Sequence, residues 1–143
     1  MAEARFEGQV ALVTGATRGI GEAIAMALAA AGATVVGTAT TDEGAAKITA
    51  YLDAGGHRGT GLRLDVIDGA AVDAAVALIE SKFGAATILV NNAGITRDNL
   101  MLRMKDDEWD AIMATNLKPA FRLAKALLRG MMKARFGRII QIG

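Results

Sequence analysis

Three glycines near the amino terminus have the spacing of a phosphate-binding turn. Gly15, Gly19 and Gly21 are spaced G-x-x-x-G-x-G within "TGATRGIG". Glycine permits a tight turn and a close approach of the backbone to a ligand, and a helix that begins here offers free N–H groups and a partial positive charge. These residue types favour a bound phosphate, although the same glycines would also serve a turn that only packs a helix closely against a strand.

Strand and helix patterns alternate around this turn. Residues 9–14 ("QVALVT") are a short apolar run rich in β-branched residues, which is typical of a strand buried on both faces. The next apolar residues, Ile20, Ile24 and Leu28, recur at helical spacing. Further strands are predicted at residues 34–39, 61–66, 87–92 and 138–143, and further helices at about residues 42–52, 68–83 and 106–133.

This alternation predicts an α/β fold. Right-handed crossovers between the strands would give a doubly wound parallel sheet, a Rossmann fold, with helices on both faces. No linker or low-complexity segment divides residues 1–143, so we expect one domain. Pro119 falls inside the longest predicted helix and should kink or split it near Asn116.

Composition narrows the classes of function. Hydrophobic residues make up 52% and charged residues 22% of the 143 residues, and the net charge of +1 gives no reason to expect nucleic acid as a partner. The chain has no cysteine and a single histidine, His57, so we expect no metal site. It has neither a secretory signal nor a run long enough to span a membrane, so we expect a soluble, cytoplasmic protein.

The residues after the second predicted strand bear on the choice of dinucleotide. The usual fingerprint is G-x-G-x-x-G, with an acidic residue at the end of the second strand that binds the adenosine ribose. Here that strand runs into "TATTDE", with Thr38, Thr40 and Thr41 in the region of the acid, and Arg18 can meet a 2′-phosphate from the glycine turn. Both departures favour NADP over NAD. The alternatives are that Arg18 is solvated and that Thr40 caps the next helix together with Glu43.

Asp65 and Val66 stand at the predicted carboxyl end of the third strand. Ligands bind at this edge in open α/β sheets, so Asp65 can accept a hydrogen bond from an adenine amino group while Val66 packs on the ring. The pattern supports equally well a turn or capping role for Asp65 before the helix that starts at Asp68.

The motif "NNAG" (residues 91–94) at the end of the fourth predicted strand, taken with "TGATRGIG", resembles the short-chain dehydrogenase/reductase family. The stretches "NNAGITRDNLMLRMKDDEW", "TNL" and "GRIIQIG" are similar, within that family, to bacterial reductases that act on 3-oxoacyl groups held by acyl carrier protein. The resemblance extends from about Phe6 to Gly143. It implies that the chain is the amino-terminal, NADP-binding portion of a longer single-domain reductase of fatty acid synthesis, whose remaining strands and helices would follow.

The resemblance also implies roles for individual residues. The residues at the pyrophosphate and the adenosine phosphate would be Gly15, Thr17, Arg18, Gly19, Ile20 and Gly21. Thr40 would lie by the 2′-phosphate, Asp65 and Val66 by adenine, and Asn92, Ala93 and Gly94 along the cofactor ribose. Asn116 matches the asparagine with which the family holds a proton-relay water.

The other catalytic residues of the family are absent from this sequence. They are a serine that follows the strand matched by "GRIIQIG" and a Y-x-x-x-K pair on the next helix. Tyr51, the only tyrosine, lies in the second predicted helix and is expected to be a packing residue, and Ser81, the only serine, is expected at the surface. We therefore expect the chain to be inactive alone.

The end of the long predicted helix has a basic flank, which is normally a solvated face. The resemblance implies that Arg135 helps to dock the acidic acyl carrier protein and that the protein is a homotetramer. Two alternatives remain: a reductase of another thioester such as acetoacetyl-CoA, or a non-catalytic nucleotide-binding module. The second predicts a protected final strand, and the hydrophobic "RIIQI" argues against it.

Overall fold

The computed structural model describes residues 5–92, 105–112 and 118–142. Strands and helices alternate along these residues as predicted. In chain order they are β1 (Val10–Val13), α1 (Gly19–Ala30), β2 (Thr34–Ala39), α2 (Asp42–Ala54), β3 (Gly59–Arg63), α3 (Gly69–Phe83), β4 (Ala86–Asn91), α4 (Asp106–Ile112), α5 (Lys118–Ala134) and β5 (Arg138–Gln141).

The strands form one parallel sheet in the order β3-β2-β1-β4-β5. β1 lies in the middle, and its last residue, Val13, is opposite Gly37 of β2 and Val90 of β4. From β1 the chain moves outward to β2 and β3, then crosses back over β1 to β4 and β5. The direction of winding therefore reverses between β1 and β4, which is where ligands bind in doubly wound folds. The predicted fold class is confirmed.

The strands at the centre of the sheet are buried on both faces, which explains their uninterrupted apolar sequences. In β1, Val10 and Leu12 belong to a core cluster with buried residues of α3 and α5. Ala11 and Val13 belong to a second cluster, on the opposite face, with buried residues of α1 and α2. The alternation of side chains along one strand thus supplies both cores.

β3 spans Gly59–Arg63 and ends earlier than the predicted strand at residues 61–66. Beyond it, Oδ1 of Asp65 accepts a hydrogen bond from the backbone N–H of Ile67 at 3.2 Å. Asp68 then caps α3 with its side chain. Aspartate side chains that bond to nearby backbone N–H groups compete with a strand ladder, so the chain turns away from the sheet here.

The region predicted as one helix at residues 106–133 contains α4 and α5. Asn116, near which we predicted a kink or a break, lies outside the described residues. Pro119 is the second residue of α5. Proline is well tolerated in the first turn of a helix because the N–H that it lacks would have no intrahelical acceptor there.

Large apolar side chains remain exposed on β5 and α5. Ile139 and Ile140 of β5 are 49% and 45% exposed. Phe121, Leu128 and Met132 of α5 are also exposed. Within the described ranges, no helix combines the length and the apolar character that crossing a bilayer requires.

α2 is capped by Thr41, not by Thr40. The N-cap Thr41 has extended backbone, and its Oγ1 accepts a hydrogen bond from the N–H of Gly44 at 3.0 Å. The alternative in which Thr40 caps this helix together with Glu43 is therefore wrong. Thr40 is exposed and directly precedes the cap.

We expect Thr41→Ala to lower the free energy of unfolding by about 0.5–2 kcal/mol, because the N–H of Gly44 loses its acceptor. Thr40→Ala is the matched control, since it removes the neighbouring threonine hydroxyl from an exposed position, and it should change stability by less than about 0.5 kcal/mol. Urea denaturation followed by circular dichroism measures both values. Equal losses in the two variants would contradict the assignment of the cap.

Candidate functional site

The glycine turn, residues 15–21, connects the carboxyl end of β1 to the first turn of α1. Gly15 and Gly19 have φ angles of 64° and 61°, in the left-handed region that a β-carbon disfavours. A Cβ placed on Gly21 would overlap the carbonyl oxygen of Gly15 and lie 2.6 Å from Nδ2 of Asn92. Two glycines are therefore required by the backbone conformation, and the third by the close packing of α1 on the turn.

The amino end of α1 is open to a ligand. Its N-cap, Arg18, has extended backbone and makes no side-chain hydrogen bond to the helix. Arg18, Gly19 and Ile20 are all exposed. Among the described residues, no ion pair involves the Arg18 guanidinium. An anion can therefore approach the first N–H groups of the helix and the guanidinium together.

Hydrogen bonds from β4 and β2 fix the start of the turn on both sides. On the β4 side, the N–H of Asn92 donates to Oγ1 of Thr14 at 2.9 Å, and its Nδ2 donates to the carbonyl of Gly15 at 3.1 Å. On the β2 side, the N–H of Gly15 donates to Oγ1 of Thr38 at 3.3 Å. The N–H of Ala16 donates to the carbonyl of Thr38 at 3.0 Å. The turn is thus held between the two strands that flank β1.

Most of the predicted cofactor residues lie at this carboxyl edge of the sheet. The described ones are Gly15, Thr17, Arg18, Gly19, Ile20, Gly21, Thr40, Asp65, Val66 and Asn92. The side chain of Asn92, predicted to lie along a ribose, is seen to hold the glycine turn. Ala93, Gly94 and Asn116 lie outside the described residues, and their roles stay predictions.

Asp65 has the turn role that the sequence left open. It is exposed, and its Oδ1 closes the turn after β3. Val66 is half-buried and packs against the core cluster beneath α3 and α5. A contact of either residue with adenine stays a prediction.

Tyr51 is more than the packing residue that the sequence predicts. It packs against the core cluster that α1 and α2 share, and its hydroxyl donates a hydrogen bond of 2.8 Å to the carbonyl of Ala16, inside the glycine turn. Burial, and secondarily the negative charge of Glu22, raises the pKa of Tyr51 to about 12. The hydroxyl therefore keeps its proton and remains a donor throughout the physiological range.

The sequence contains a partial signal for this contact. Tyr51 follows Ile48 by three residues, and both lie on the face of α2 that is turned towards the sheet. That spacing identifies the packing face, but it does not identify the acceptor of the hydroxyl. The partner is 35 residues away and becomes its neighbour only through the pairing of β1 with β2.

The basic residues at the end of α5 are exposed, as expected of a solvated face. Arg135, which follows the helix, is exposed and has a φ of 56°. Arg129 and Lys133 line an open groove of about 1130 Å³ between α3 and α5. No contact in the described part of the chain bears on a docking role for Arg135, which stays a prediction.

A family model described as short chain dehydrogenase matches residues 9–143. The chain belongs to the short chain dehydrogenase family. The match includes the glycine turn, all five strands and the described helices.

Curated relatives within the short chain dehydrogenases are similar to almost the whole chain. The 3-oxoacyl-[acyl-carrier-protein] reductase FabG of Escherichia coli (strain K12) is 59% identical over 138 residues, which are 96% of this chain and 55% of the relative. The FabG proteins of Pseudomonas aeruginosa and Haemophilus influenzae are 58% and 57% identical, with 96% of this chain and 56% of each relative covered. The chain therefore spans about half the length of the curated relatives that it matches.

Membership of the short chain dehydrogenases implies a nicotinamide cofactor, and the glycine turn fits one. The open space beside Gly19 and the open amino end of α1 suit a pyrophosphate. Within the residues that the structure describes, no group of three histidine, cysteine or acidic side chains could hold a metal ion.

We expect the phenol of Tyr51 to ionise near pH 12 in the folded chain and near pH 10.0 after unfolding in urea. The protonated phenol is favoured by the fold, so its contribution to stability is complete below pH 10 and is lost as the pH rises towards 12. Tyr51 is the only tyrosine, so the ultraviolet absorbance of tyrosinate reports this group alone.

The control is Tyr51→Phe, which gives no tyrosinate signal. Its free energy of unfolding at neutral pH should be lower than that of the wild-type chain by about 0.5–1.5 kcal/mol. Between pH 10 and 11 the stability of the wild-type chain should decline more steeply than that of the variant. A folded-state midpoint at the ordinary value of 10.0 would contradict the burial of the phenol beside Glu22.

Proposed function

We propose that the protein is an NADPH-dependent reductase of 3-oxoacyl-[acyl-carrier-protein] in fatty acid biosynthesis. The single observation that carries this proposal is the 59% identity, over 96% of the chain, to a 3-oxoacyl-[acyl-carrier-protein] reductase. The proposal concerns the longer protein of which residues 1–143 form the amino-terminal, NADP-binding portion. The coverage of 55% of the relative supports such a protein, and the half-exposed Ile139 and Ile140 offer a surface for its next elements.

The charges at the ends of β2 and α1 support NADP as the cofactor. No acid stands at the end of β2, where Ala39, Thr40 and Thr41 occur in place of the residue that would bind an unphosphorylated ribose. Arg18 is exposed at the amino end of α1, and its planar guanidinium can make two hydrogen bonds to a 2′-phosphate. Thr40 is exposed and not used as a cap, so its hydroxyl is available to the same group.

The remaining contacts are those that the resemblance to the family implies. Gly15, Thr17, Gly19, Ile20 and Gly21 would hold the pyrophosphate at the amino end of α1. Asp65 and Val66, just beyond β3, would contact adenine. The ribose would lie on the other side of the turn, along Asn92, Ala93 and Gly94.

The chemistry of the reaction sets what the longer protein must add. When bound, the cofactor supplies a hydride to the ketone carbon of the substrate. The oxygen then gains negative charge and needs hydrogen-bond donors and a proton. Asn116 would hold the water that relays this proton, and a serine, a tyrosine and a lysine in the part that follows β5 would complete the site.

Substrate delivery is proposed to use the basic end of α5. Acyl carrier proteins are acidic, and the exposed Arg135 would attract such a surface. We further propose that the protein acts in the cytoplasm as a homotetramer, assembled partly through α5. The exposed Phe121, Leu128 and Met132 of this helix support a subunit contact there.

We expect Arg18→Ala to raise the dissociation constant of NADPH by about 10- to 100-fold, the loss of one charged hydrogen-bonding group. Binding of NADH should change by less than about 2-fold, because NADH has no 2′-phosphate. Arg58→Ala is the matched control, since it removes an exposed arginine at the opposite, amino edge of the sheet. Isothermal titration calorimetry measures the affinities. Equal losses for both nucleotides would contradict the role of Arg18.

We expect the 143-residue chain to bind NADPH without oxidising it when acetoacetyl-[acyl-carrier-protein] is added, because it lacks the tyrosine and lysine pair. The longer protein should oxidise NADPH with this substrate, as followed by absorbance. Faster turnover of acetoacetyl-CoA than of the carrier-bound substrate would instead favour a reductase of free thioesters. No turnover of either would favour a non-catalytic nucleotide-binding module.

A further inference from the structure

A second arginine lies at the carboxyl edge of the sheet, on the strand next to β2. Arg63 is the last residue of β3 and pairs in register with Ala39, the last residue of β2. Its side chain is 63% exposed, and Nη1 lies 3.5 Å from Oδ2 of Asp42, at the start of α2. Arg63 therefore lies on the neighbouring strand, opposite Ala39, which directly precedes Thr40.

The start of α2 connects this arginine to the glycine turn. A Cβ placed on Gly44 would lie 3.1 Å from Oγ1 of Thr41 and 3.2 Å from Oγ1 of Thr17. The first turn of α2 thus packs directly against the glycine turn at the residue before Arg18. Asp42, in that same first turn, forms the ion pair with Arg63. Arg18, which follows Thr17, and Arg63, which pairs with Asp42, are therefore both neighbours of the first turn of α2.

Two acids in the first turn of α2 oppose the binding of a phosphate beside this turn. Asp42 and Glu43 are both exposed acids in the first turn of α2. They favour the helix but repel an approaching phosphate. Exposed ion pairs contribute only about 0–1 kcal/mol, so the guanidinium of Arg63 can leave Asp42 for a phosphate at small cost.

We propose that Arg63 is a specificity-determining residue that binds the 2′-phosphate of NADP together with Arg18. In the free protein, Asp42 holds the guanidinium of Arg63 beside the loop between β2 and α2. When the dinucleotide is bound, Arg63 donates hydrogen bonds to the phosphate and offsets the charge of Asp42. This inference rests on the proposed use of NADP.

The test compares Arg63→Met with the wild-type chain, because methionine keeps the apolar stem and removes the charge. The probes are 2′,5′-ADP and 5′-AMP, which differ only in the 2′-phosphate, followed by NADPH and NADH. We expect Arg63→Met to weaken the binding of 2′,5′-ADP and NADPH by about 5- to 20-fold. The binding of the other two ligands should weaken by less than about 2-fold. Asp42→Asn should strengthen the binding of 2′,5′-ADP by about 2- to 5-fold, because it removes the carboxylate that competes for Arg63 and repels the phosphate.

Arg58→Met is the matched control for the loss of one positive charge, and it should leave all four affinities within about 2-fold of wild type, because remote exposed charges are screened. Thermal unfolding of each variant verifies that the fold is retained. A wild-type preference for 2′,5′-ADP that survives in Arg63→Met overturns this inference and leaves the proposed cofactor intact. A wild-type chain that binds 2′,5′-ADP and 5′-AMP equally overturns the proposed cofactor, and the inference with it.

Discussion

The conformation of the glycine turn depends on hydrogen bonds from residues outside the turn. Its left-handed residues and its open helix end cannot maintain one conformation alone, because glycine loses more conformational freedom on folding than any other residue. Thr38, Asn92 and Tyr51 provide the restraint, each from a different element and each by a hydrogen bond to Gly15 or Ala16. The parallel sheet brings these three elements together, since β1 lies between β2 and β4. The shape of the glycine turn, at which we propose that a phosphate binds, therefore depends on the centre of the sheet.

The fold and the grouping of most candidate site residues at one edge of the sheet could be predicted from the sequence, because both follow from local patterns. Apolar runs such as "QVALVT" predict strands buried on both faces, and the glycines at the end of the first strand predict where an anion binds. The contacts that fix the turn could not be predicted, because the partners of Tyr51 and Asn92 are chosen by strand order. The cap of α2 was ambiguous for another reason: Thr40 and Thr41 are adjacent residues of one type, and only the backbone conformation decides between them.

The cofactor selection that we propose depends on charge at one edge of the sheet. Arg18, Asp42 and Arg63 come from α1, α2 and β3, and none of the three is buried. Exposed side chains contribute little to folding stability, so substitutions at these positions can change ligand recognition without unfolding the protein. The buried residues beneath them, in contrast, are constrained by packing on both faces of the sheet. The edge of the sheet can therefore change its nucleotide preference without a change in the core.

The two hydrogen bonds from Asn92 have a consequence for the order of events during synthesis of the protein. Thr14 and Gly15 are made early, but their partner is made 78 and 77 residues later. A nascent chain that ends before β4 contains the complete glycine sequence without the two contacts from Asn92. Contacts of such long sequence separation form late, after the intervening loop has been closed. Nucleotide affinity should therefore be acquired abruptly, when Asn92 leaves the ribosome, and a bound dinucleotide would mark the moment at which the two halves of the sheet have joined.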